Sequence, residues 1–298
     1  MRSSHPPTLF KIVERTIRDE GLLARGDVVL VAVSGGPDSM ALLHVLAKLA
    51  PRLGVRIEAH GIDHGLRSAA TDELAQARDF AAELGVPFAT TCVEVRPGAN
   101  LMARAREARY RALRAALARV PAMQGCEGAN RFIATGHHAD DRAETVLLRL
   151  LRGAGPDGLA VLPPRAADLI RPLVRARRTD VEAHIARHRI PYAEDPTNRD
   201  PRFLRTHVRT EILPSLVGLA PRIVEHLCDL ADALGEGRTT ENRLVPAVFE
   251  GLTLGKAQRS ALARALRNHN PRVRVPLAGG KIAGVDLSSR TIVLMKAR

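Results

Sequence analysis

A loop rich in glycine and serine, residues 34–39 (SGGPDS), stands between the apolar run Val28–Val33 and a segment with helical periodicity. Its glycines allow a ligand to approach the backbone closely. The N-terminus of the following helix directs free N–H groups and the positive end of its dipole at an anion. The loop lacks both the lysine of a Walker A motif and the GxGxxG dinucleotide pattern. It predicts a phosphate site of another kind, the alternative being an ordinary strand–turn–helix junction. The expected phosphate-binding residues are Ser34, Gly35, Gly36, Pro37, Asp38 and Ser39.

A second polar group follows the next strand-like segment, in the sequence DHGLR. Asp63 ends the strand, and His64 and Arg67 lie in the loop after it. Because ligands in parallel sheets bind beyond the carboxyl ends of the strands, we expect these three residues at the same crevice as the phosphate loop. A plain turn with a surface histidine is the alternative.

Two carboxylates lie on the apolar face of the helix predicted over Ala139–Leu151. At 100° per residue, Asp141 and Glu144 share this face with Leu148. A buried carboxylate is costly unless it is paired or binds a metal. Carboxylates that face a triphosphate suit Mg²⁺ better than zinc, for which no third ligand follows at a familiar spacing. The preceding His137 extends the group to the strand end, and capping of the helix N-terminus is the alternative.

Arginines on two further segments are candidates for anion binding. Arg106 and Arg109 lie on the same side of the helix predicted over residues 100–120 as its apolar stripe. They are expected to meet a carboxylate or a phosphate there, unless their stems snorkel at the edge of the stripe. Three later arginines are spaced to share one helix face, which predicts a basic stripe at the edge of the domain or, alternatively, a solvated face. These are Arg202, Arg205 and Arg209.

Strand-like and helical segments alternate along the first half of the chain. An unbroken run such as VVLVAV is typical of a strand buried on both faces of a parallel sheet. The alternation predicts an α/β fold with a doubly wound, mostly parallel, Rossmann-like sheet. From about Val217 the chain is mainly helical and ends in a short hairpin. We therefore expect two domains, residues 1–215 and a small, mainly helical domain over 216–298.

The composition is that of a globular protein with excess positive charge. The chain has 298 residues, of which 45% are hydrophobic and 26% charged, and its formal net charge is +13. Residues 1–150 contribute +3 and the rest +10. This excess favours a nucleic acid as partner. Codon usage rich in arginine is the alternative explanation.

The sequence also indicates in which cellular compartment the protein is expected. It has no uninterrupted run of 18 apolar residues, which predicts no membrane span. Its N-terminus lacks the apolar core of a secretory signal. Three isolated cysteines exclude a disulfide scaffold and a zinc knuckle. A reducing, cytoplasmic location is expected.

The loop SGGPDS resembles the PP-loop of ATP pyrophosphatases. Together with DHGLR, NLMARAREARYRAL, GHHADDRAETVLLRLLRGAG and EDPTN…RTHVRTEILP, it occurs in an order similar to that of tRNA(Ile)-lysidine synthases, over residues 28–215. There are departures. Family members usually have Gln at the position of Arg142 and often have Arg-Asn within the segment that contains Thr206 and His207. Longer members carry a further C-terminal domain.

The resemblance implies a ligase that attaches L-lysine to carbon 2 of the wobble cytidine of tRNA(Ile) with anticodon CAU. It implies ATP as cosubstrate, an adenylated cytidine intermediate, and Mg²⁺ held by Asp38 and Asp141. Residues 1–215 would be the catalytic domain, and 216–298 would contact tRNA. The implied catalytic residues are Asp38, Asp141, Arg106, Arg109, Glu144 and Arg205. The implied ATP-binding residues are those of the loop 34–39 with Asp63, His64, Arg67 and His137.

Three rival functions are less compatible with the sequence. A PP-loop amidotransferase would need a glutaminase domain or partner, and a tRNA thiolase would need a catalytic cysteine pair. A tRNA-binding protein without catalysis would be expected to lack loop or carboxylate residues that are present here. The sequence leaves the oligomeric state open, with a homodimer as one option.

Overall fold

The computed structural model describes residues 7–63, 69–94, 98, 100–126, 128–193, 204–245, 248–249, 251–267, 273–278, 281–286, 288–289 and 291–295. The chain divides into two compact units. The first comprises Met1–Gly153 and Val161–Asp229, and the second comprises Ala154–Ala160 and Leu230–Arg298. Among the described residues, no helix is long and apolar enough to cross a bilayer.

The first unit is built on a six-stranded sheet with the strand order β3-β2-β1-β4-β6-β5. All neighbouring strands are parallel except β5, which runs antiparallel to β6. The strands are β1 (Val28–Val33), β2 (Arg56–Asp63), β3 (Phe88–Cys92), β4 (Arg131–Ala134), β5 (Arg165–Ala166) and β6 (Leu169–Ile170). The chain leaves β1 in opposite directions toward β2 and β4, so the crevice at their carboxyl ends is the expected ligand position.

Helices connect and cover these strands. They are α1 (Leu9–Asp19), α2 (Pro37–Leu53), α3 (Ala69–Glu83), α4 (Leu101–Arg119), α5 (Ala139–Leu151), α7 (Arg178–His188), α8 (Leu204–His207) and α9 (Leu213–Leu219). A π-helical turn, Val208–Ile212, joins α8 to α9, and α10 (Ile223–Leu244) begins in this unit. The predicted doubly wound α/β fold is confirmed.

The central strand β1 has apolar partners on both of its faces. Val29, Val31 and Val33 belong to a core that includes residues of α1, α2 and α7. The alternating residues 28, 30 and 32 pack with Leu113 and Leu117 of α4. This two-sided burial explains the unbroken apolar run, because a strand covered on both faces has no polar side.

The second unit has its own small core. Its elements are α6 (Pro156–Leu159), the end of α10, β7 (Val248–Phe249), β8 (Leu252–Thr253), α11 (Lys256–Arg267), β9 (Val275–Pro276), β10 (Ile282–Asp286) and β11 (Thr291–Met295). The last three strands form an antiparallel sheet with the order β11-β10-β9. Leu262 and Ala265 of α11 are buried together with Ala283 and Val285 of β10.

Compact packing in the first unit continues beyond residue 215, where the sequence places a domain boundary. Val224, at the start of α10, is fully buried. The Sγ atom of the buried Cys228 lies 3.5 Å from the carbonyl oxygen of Ala139. These contacts explain why the first unit extends to Asp229.

Candidate active site

The loop between β1 and α2 closes on itself through its serines. Ser34 N–H donates to Ser39 Oγ at 3.1 Å, and that hydroxyl donates to the Gly36 carbonyl at 2.9 Å. Gly35 has a φ of +82°, and a Cβ there would lie 3.0 Å from the carbonyl oxygen of Glu73. The loop therefore needs glycine at this position, and it leaves the N-terminus of α2 open as an anion site.

We call the loop of residues 34–39 and the N-terminus of α2 the phosphate cradle, or simply the cradle. The loop after β4 packs directly against it. A Cβ on Gly136 would lie 2.9 Å from the carbonyl oxygen of Asp38 and 3.1 Å from the Ser39 nitrogen. Because these are backbone atoms, they cannot swing aside as a long side chain would. The absence of a side chain at Gly136 is what lets the two loops meet.

This packing brings Asp38, His138 and Asp141 into one group. His138 Nε2 lies 3.6 Å from Asp38 Oδ1 and 3.5 Å from Asp141 Oδ2. One ligand atom from each of the three residues lies within 4.8 Å of the others. Within the described residues, the buried Nε2 has no hydrogen-bond partner. An unpaired buried nitrogen between two carboxylates marks a point where a ligand is expected.

His138 also forms the N-cap of α5. Its Nδ1 accepts a hydrogen bond from Asp141 N–H at 3.3 Å, and its own N–H donates to Asp141 Oδ2 at 3.1 Å. An accepting Nδ1 requires that the neutral ring carry its proton on Nε2. The ring is therefore arranged as a donor, and the two carboxylates are the groups suited to hold Mg²⁺, which prefers oxygen ligands.

The two carboxylates differ in acidity. Burial raises the pKa of Asp38, and the neighbouring Asp141 charge adds to this effect. Burial also disfavours ionised Asp141, but His138, His137 and the hydrogen bond from the His138 backbone outweigh it and lower the pKa of Asp141. A cation between the two would stabilise both ionised forms.

Arginines surround the second carboxylate of α5. Glu144 is fully buried and accepts hydrogen bonds from Arg178 at 3.0 Å, Arg205 at 3.3 Å and Arg209 at 2.7 and 2.8 Å. Arg205 and Arg209 also reach Asp141, at 3.3 and 3.2 Å. We call Asp141, Glu144 and these three arginines the carboxylate–arginine cluster. It has one more positive than negative charge, so it can attract a further anion.

The predicted basic stripe is therefore wrong for two of its three members. Arg205 and Arg209 are directed at Asp141 and Glu144 because the π-helical turn and α8 pack against α5. Arg202 lies outside the described residues.

Further ion pairs attach α7 to the start of α5. Asp140 accepts hydrogen bonds from the Arg178 backbone at 2.7 Å and from the Arg177 guanidinium at 3.2 Å. Arg177 also donates to Glu225 at 3.1 Å. Arg142 is buried and donates to the carbonyl of Val161 at 3.0 Å. These residues position the site.

The predicted residues His137, Arg106 and Arg109 are neighbours. Burial, with smaller contributions from Arg171, Arg109 and Arg106, lowers the pKa of His137 to about 4. His137 Nδ1 lies 3.0 Å from the Thr135 hydroxyl. The guanidinium of Arg106 lies 4.9 Å from the ring centre of Tyr110. Among the described residues, neither Arg106 nor Arg109 has a carboxylate partner, which leaves both available for an anion.

The remaining predicted ATP-binding residues are only partly described. Asp63 ends β2 and its carbonyl accepts from Val93 N–H at 2.7 Å. His64 and Arg67 lie outside the described residues. The roles given to all these residues stay predictions.

Sequence reasoning missed His138 and Arg178. The signal for His138 was its position directly before a helix, where an N-cap stands, although histidine is not among the preferred caps. Arg178 lies at the start of α7, and no local pattern distinguishes it from the neighbouring Arg177.

A cavity of about 820 Å³ opens beside the cradle. It is lined by residues of the loop 34–39, by residues of α7 and by residues that follow α7. Arg178 and Arg209 of the carboxylate–arginine cluster also line it.

A family model for the PP-loop domain matches residues 11–216. The chain belongs to this family. The PP-loop domain thus includes the cradle, the Asp38–His138–Asp141 group and the carboxylate–arginine cluster.

The chain is also similar to curated proteins that share one name. The chain is 41% identical to the tRNA(Ile)-lysidine synthase of Symbiobacterium thermophilum over 251 residues, 80% of this chain and 49% of that protein. It is 43% identical to the tRNA(Ile)-lysidine synthase of Salinispora tropica over 211 residues, 68% of this chain and 61% of that protein. The chain spans about half the length of the curated relatives it matches.

A solved structure supports the fold. The U34-tRNA thiolase NcsA from Methanococcus maripaludis, with its [4Fe-4S] cluster, superposes with a TM-score of 0.62 at 18% sequence identity. The match covers 79% of this chain and 86% of the thiolase. The PP-loop domain fold is therefore shared.

Proposed function

We propose that this protein ligates L-lysine to carbon 2 of the wobble cytidine of tRNA(Ile) with anticodon CAU, converting ATP to AMP and pyrophosphate. The observation that carries the proposal is the meeting of the phosphate cradle with Asp38, His138 and Asp141. The choice of substrates comes from the relatives, which are named tRNA(Ile)-lysidine synthase.

The first step makes the base reactive. The cytidine O2 oxygen attacks the α-phosphorus of ATP, and the bond to pyrophosphate breaks. Residues 34–39 and the N-terminus of α2 hold the departing pyrophosphate through N–H groups and hydroxyls. Bound Mg²⁺, held by Asp38 and Asp141, would neutralise charge that develops on the phosphates. His138, which caps α5, positions Asp141, and Arg106 and Arg109 offset charge on the α-phosphate.

In the second step the lysine ε-amine attacks carbon 2, and AMP leaves with the former O2 oxygen. A free amine has a pKa near 10.4, so the ammonium must lose a proton before it attacks. The lowered pKa of Asp141 makes that carboxylate a weak proton acceptor. We therefore assign the proton to solvent water and give Asp141 the orientation of the reacting amine, while Glu144, which three arginines surround, holds the cluster together. Arg205, which contacts both, holds them in place.

The positive charge beyond residue 150 supplies the contact with tRNA. This part carries +10 of the net +13, and cationic side chains bind nucleic acid through its phosphates. We place 216–298 against the tRNA and the reaction in the cytoplasm, in keeping with three free cysteines. The target base must leave its stack to reach a pocket.

The test is mass spectrometry of nucleosides from tRNA(Ile) incubated with protein, ATP and lysine. The expected result is a cytidine whose mass increases by one lysine minus one water, absent when lysine or ATP is omitted. Pyrophosphate and AMP should appear in equal amounts with the product. Release of ADP and phosphate, or an unmodified wobble cytidine, would contradict the proposal.

A further inference from the structure

The cavity that residues 34–39 line also has an aromatic side chain, Tyr192, in its lining. Its lining includes Ser34, Asp38 and Ser39 of the phosphate loop together with Arg189, Ile190 and Tyr192. With about 820 Å³, it is large enough for a nucleotide.

The backbone around Tyr192 is fixed at two points. Ala193 N–H donates to the Gly35 carbonyl at 2.9 Å, which ties this segment to the cradle. On the other side, Ile190 is buried and its N–H donates to the Ile185 carbonyl at 3.1 Å. Hydrogen bonds on both sides of Tyr192 therefore fix its backbone beside the phosphate loop.

The ring itself is open to solvent. Tyr192 is 40% exposed, and among the exposed large apolar side chains of the described residues it is the only aromatic one. Aromatic residues make up only 3% of the chain, so an exposed aromatic ring is a rare feature of this protein's surface. A held, accessible ring is suited to stacking on a nucleobase, which adds binding energy without depending on base identity.

The cations of the cavity complement such a ring. Arg178, Arg189 and Arg209 line it, with Glu182 and Asp38 as the carboxylates. A nucleotide presents a flat base and a phosphate, and this lining offers a partner for each.

We infer that Tyr192 is the stacking platform for the acceptor base of the reaction, and this inference rests on the proposed function. The base of ATP is expected over the carboxyl ends of β1, β2 and β4. Neither Asp63 of β2 nor Gly136 after β4 lines the cavity. In the proposed function the phosphates of ATP lie at residues 34–39 of this cavity, and we assign the part lined by Arg189 and Tyr192 to the second nucleotide, the unstacked wobble cytidine.

Steady-state kinetics with the whole chain test the inference. Tyr192→Ala is expected to raise KM for tRNA about 10-fold or more and to leave KM for ATP within about twofold. Tyr192→Phe, which keeps the ring face, should behave as wild type. Leu219→Ala, at a side chain 85% exposed in α9, is the matched surface control. An unchanged KM for tRNA in Tyr192→Ala would overturn the inference, as would a rise in KM for ATP instead, or an equal loss in Tyr192→Phe.

A direct readout does not depend on turnover. A tRNA(Ile) with 5-iodocytidine at the wobble position is irradiated with the protein, and the cross-linked peptide is mapped by mass spectrometry. A cross-link to Tyr192 supports the inference, and one confined to residues outside the cavity overturns it. Failure of the proposed function would show differently, as absence of lysidine with wild-type protein whatever the cross-link site.

Discussion

Two buried histidines predict a loss of stability at mildly acidic pH. His44 of α2 and His184 of α7 are 7% and 4% exposed, and their Nδ1 and Nε2 atoms lie 3.0 Å apart. The ring of Phe10 packs at 5.7 and 5.0 Å from theirs. Burial, followed by the charge of His188, lowers the pKa of each to about 4.

The sign and size follow from the difference between the folded and unfolded states. The unfolded histidines have a pKa near 6.5, so they bind protons that the folded rings do not bind. Stability is therefore present above pH 6.5 and is lost as the pH falls through the window from 6.5 to 4. One pKa unit corresponds to about 1.4 kcal/mol, so each ring accounts for up to about 3 kcal/mol, of which about 2 kcal/mol is lost by pH 4.5.

The assay is urea unfolding at pH 7.0 and 4.5 at constant ionic strength, followed by tyrosine fluorescence. The chain has two tyrosines, at positions 110 and 192, and both belong to the first unit, as do the histidines. The difference in unfolding free energy between the two pH values should shrink by about 2–4 kcal/mol in the double variant His44→Leu, His184→Leu.

The control is His226→Gln, which changes an exposed histidine and should leave the difference as in wild type. A double variant whose stability falls between pH 7.0 and 4.5 as steeply as that of wild type would refute the reasoning.

Three further predictions concern the site. Asp141→Asn should abolish lysine incorporation, measured as radiolabelled lysine in tRNA. Asp79→Asn, at an exposed carboxylate, is the control and should not reduce it. Normal turnover in Asp141→Asn would show that Asp141 is not a metal ligand. Gly136→Ala should destabilise the protein by about 1–3 kcal/mol in thermal unfolding, because its Cβ meets the Asp38 backbone. Gly128→Ala, in open space, is its control, and equal behaviour of the two would contradict the close packing. Glu144→Gln should lower the free energy of unfolding by about 3 kcal/mol by leaving arginines without their charged partner, and an unchanged midpoint in urea would show that the cluster is not stabilising.

The main helices and strands could be predicted because the pattern of apolar residues within each segment indicates its type. The run Val28–Val33 is apolar throughout, and the structure buries all six residues. The proximity of Asp38 and Asp141 followed from the rule that loops after neighbouring parallel strands meet. The resemblance to tRNA(Ile)-lysidine synthases is confirmed by relatives of that name at 34–43% identity.

Other features have no local signal. The strands β5 and β6 have two residues each, too few to show alternation. The inward direction of Arg205 and Arg209 depends on packing between α5 and the π-helical turn, which are distant in sequence. The role of His138 depends on both of its ring nitrogens, and only coordinates show what faces each of them.

The arrangement of the carboxylate–arginine cluster depends on the number of residues in the π-helical turn. The N–H of Leu213 bonds to the carbonyl of Val208, five residues back, where an α-helix would use the fourth. Deleting Thr210 from Val208–Ile212 would restore α-helical spacing and turn α8, with Arg205, about 100° relative to α9. Such a chain would retain every charged group of the cluster and yet lose its arrangement. In aligning distant homologues, a one-residue gap here therefore distinguishes an intact cluster from a dismantled one more clearly than a change in residue type.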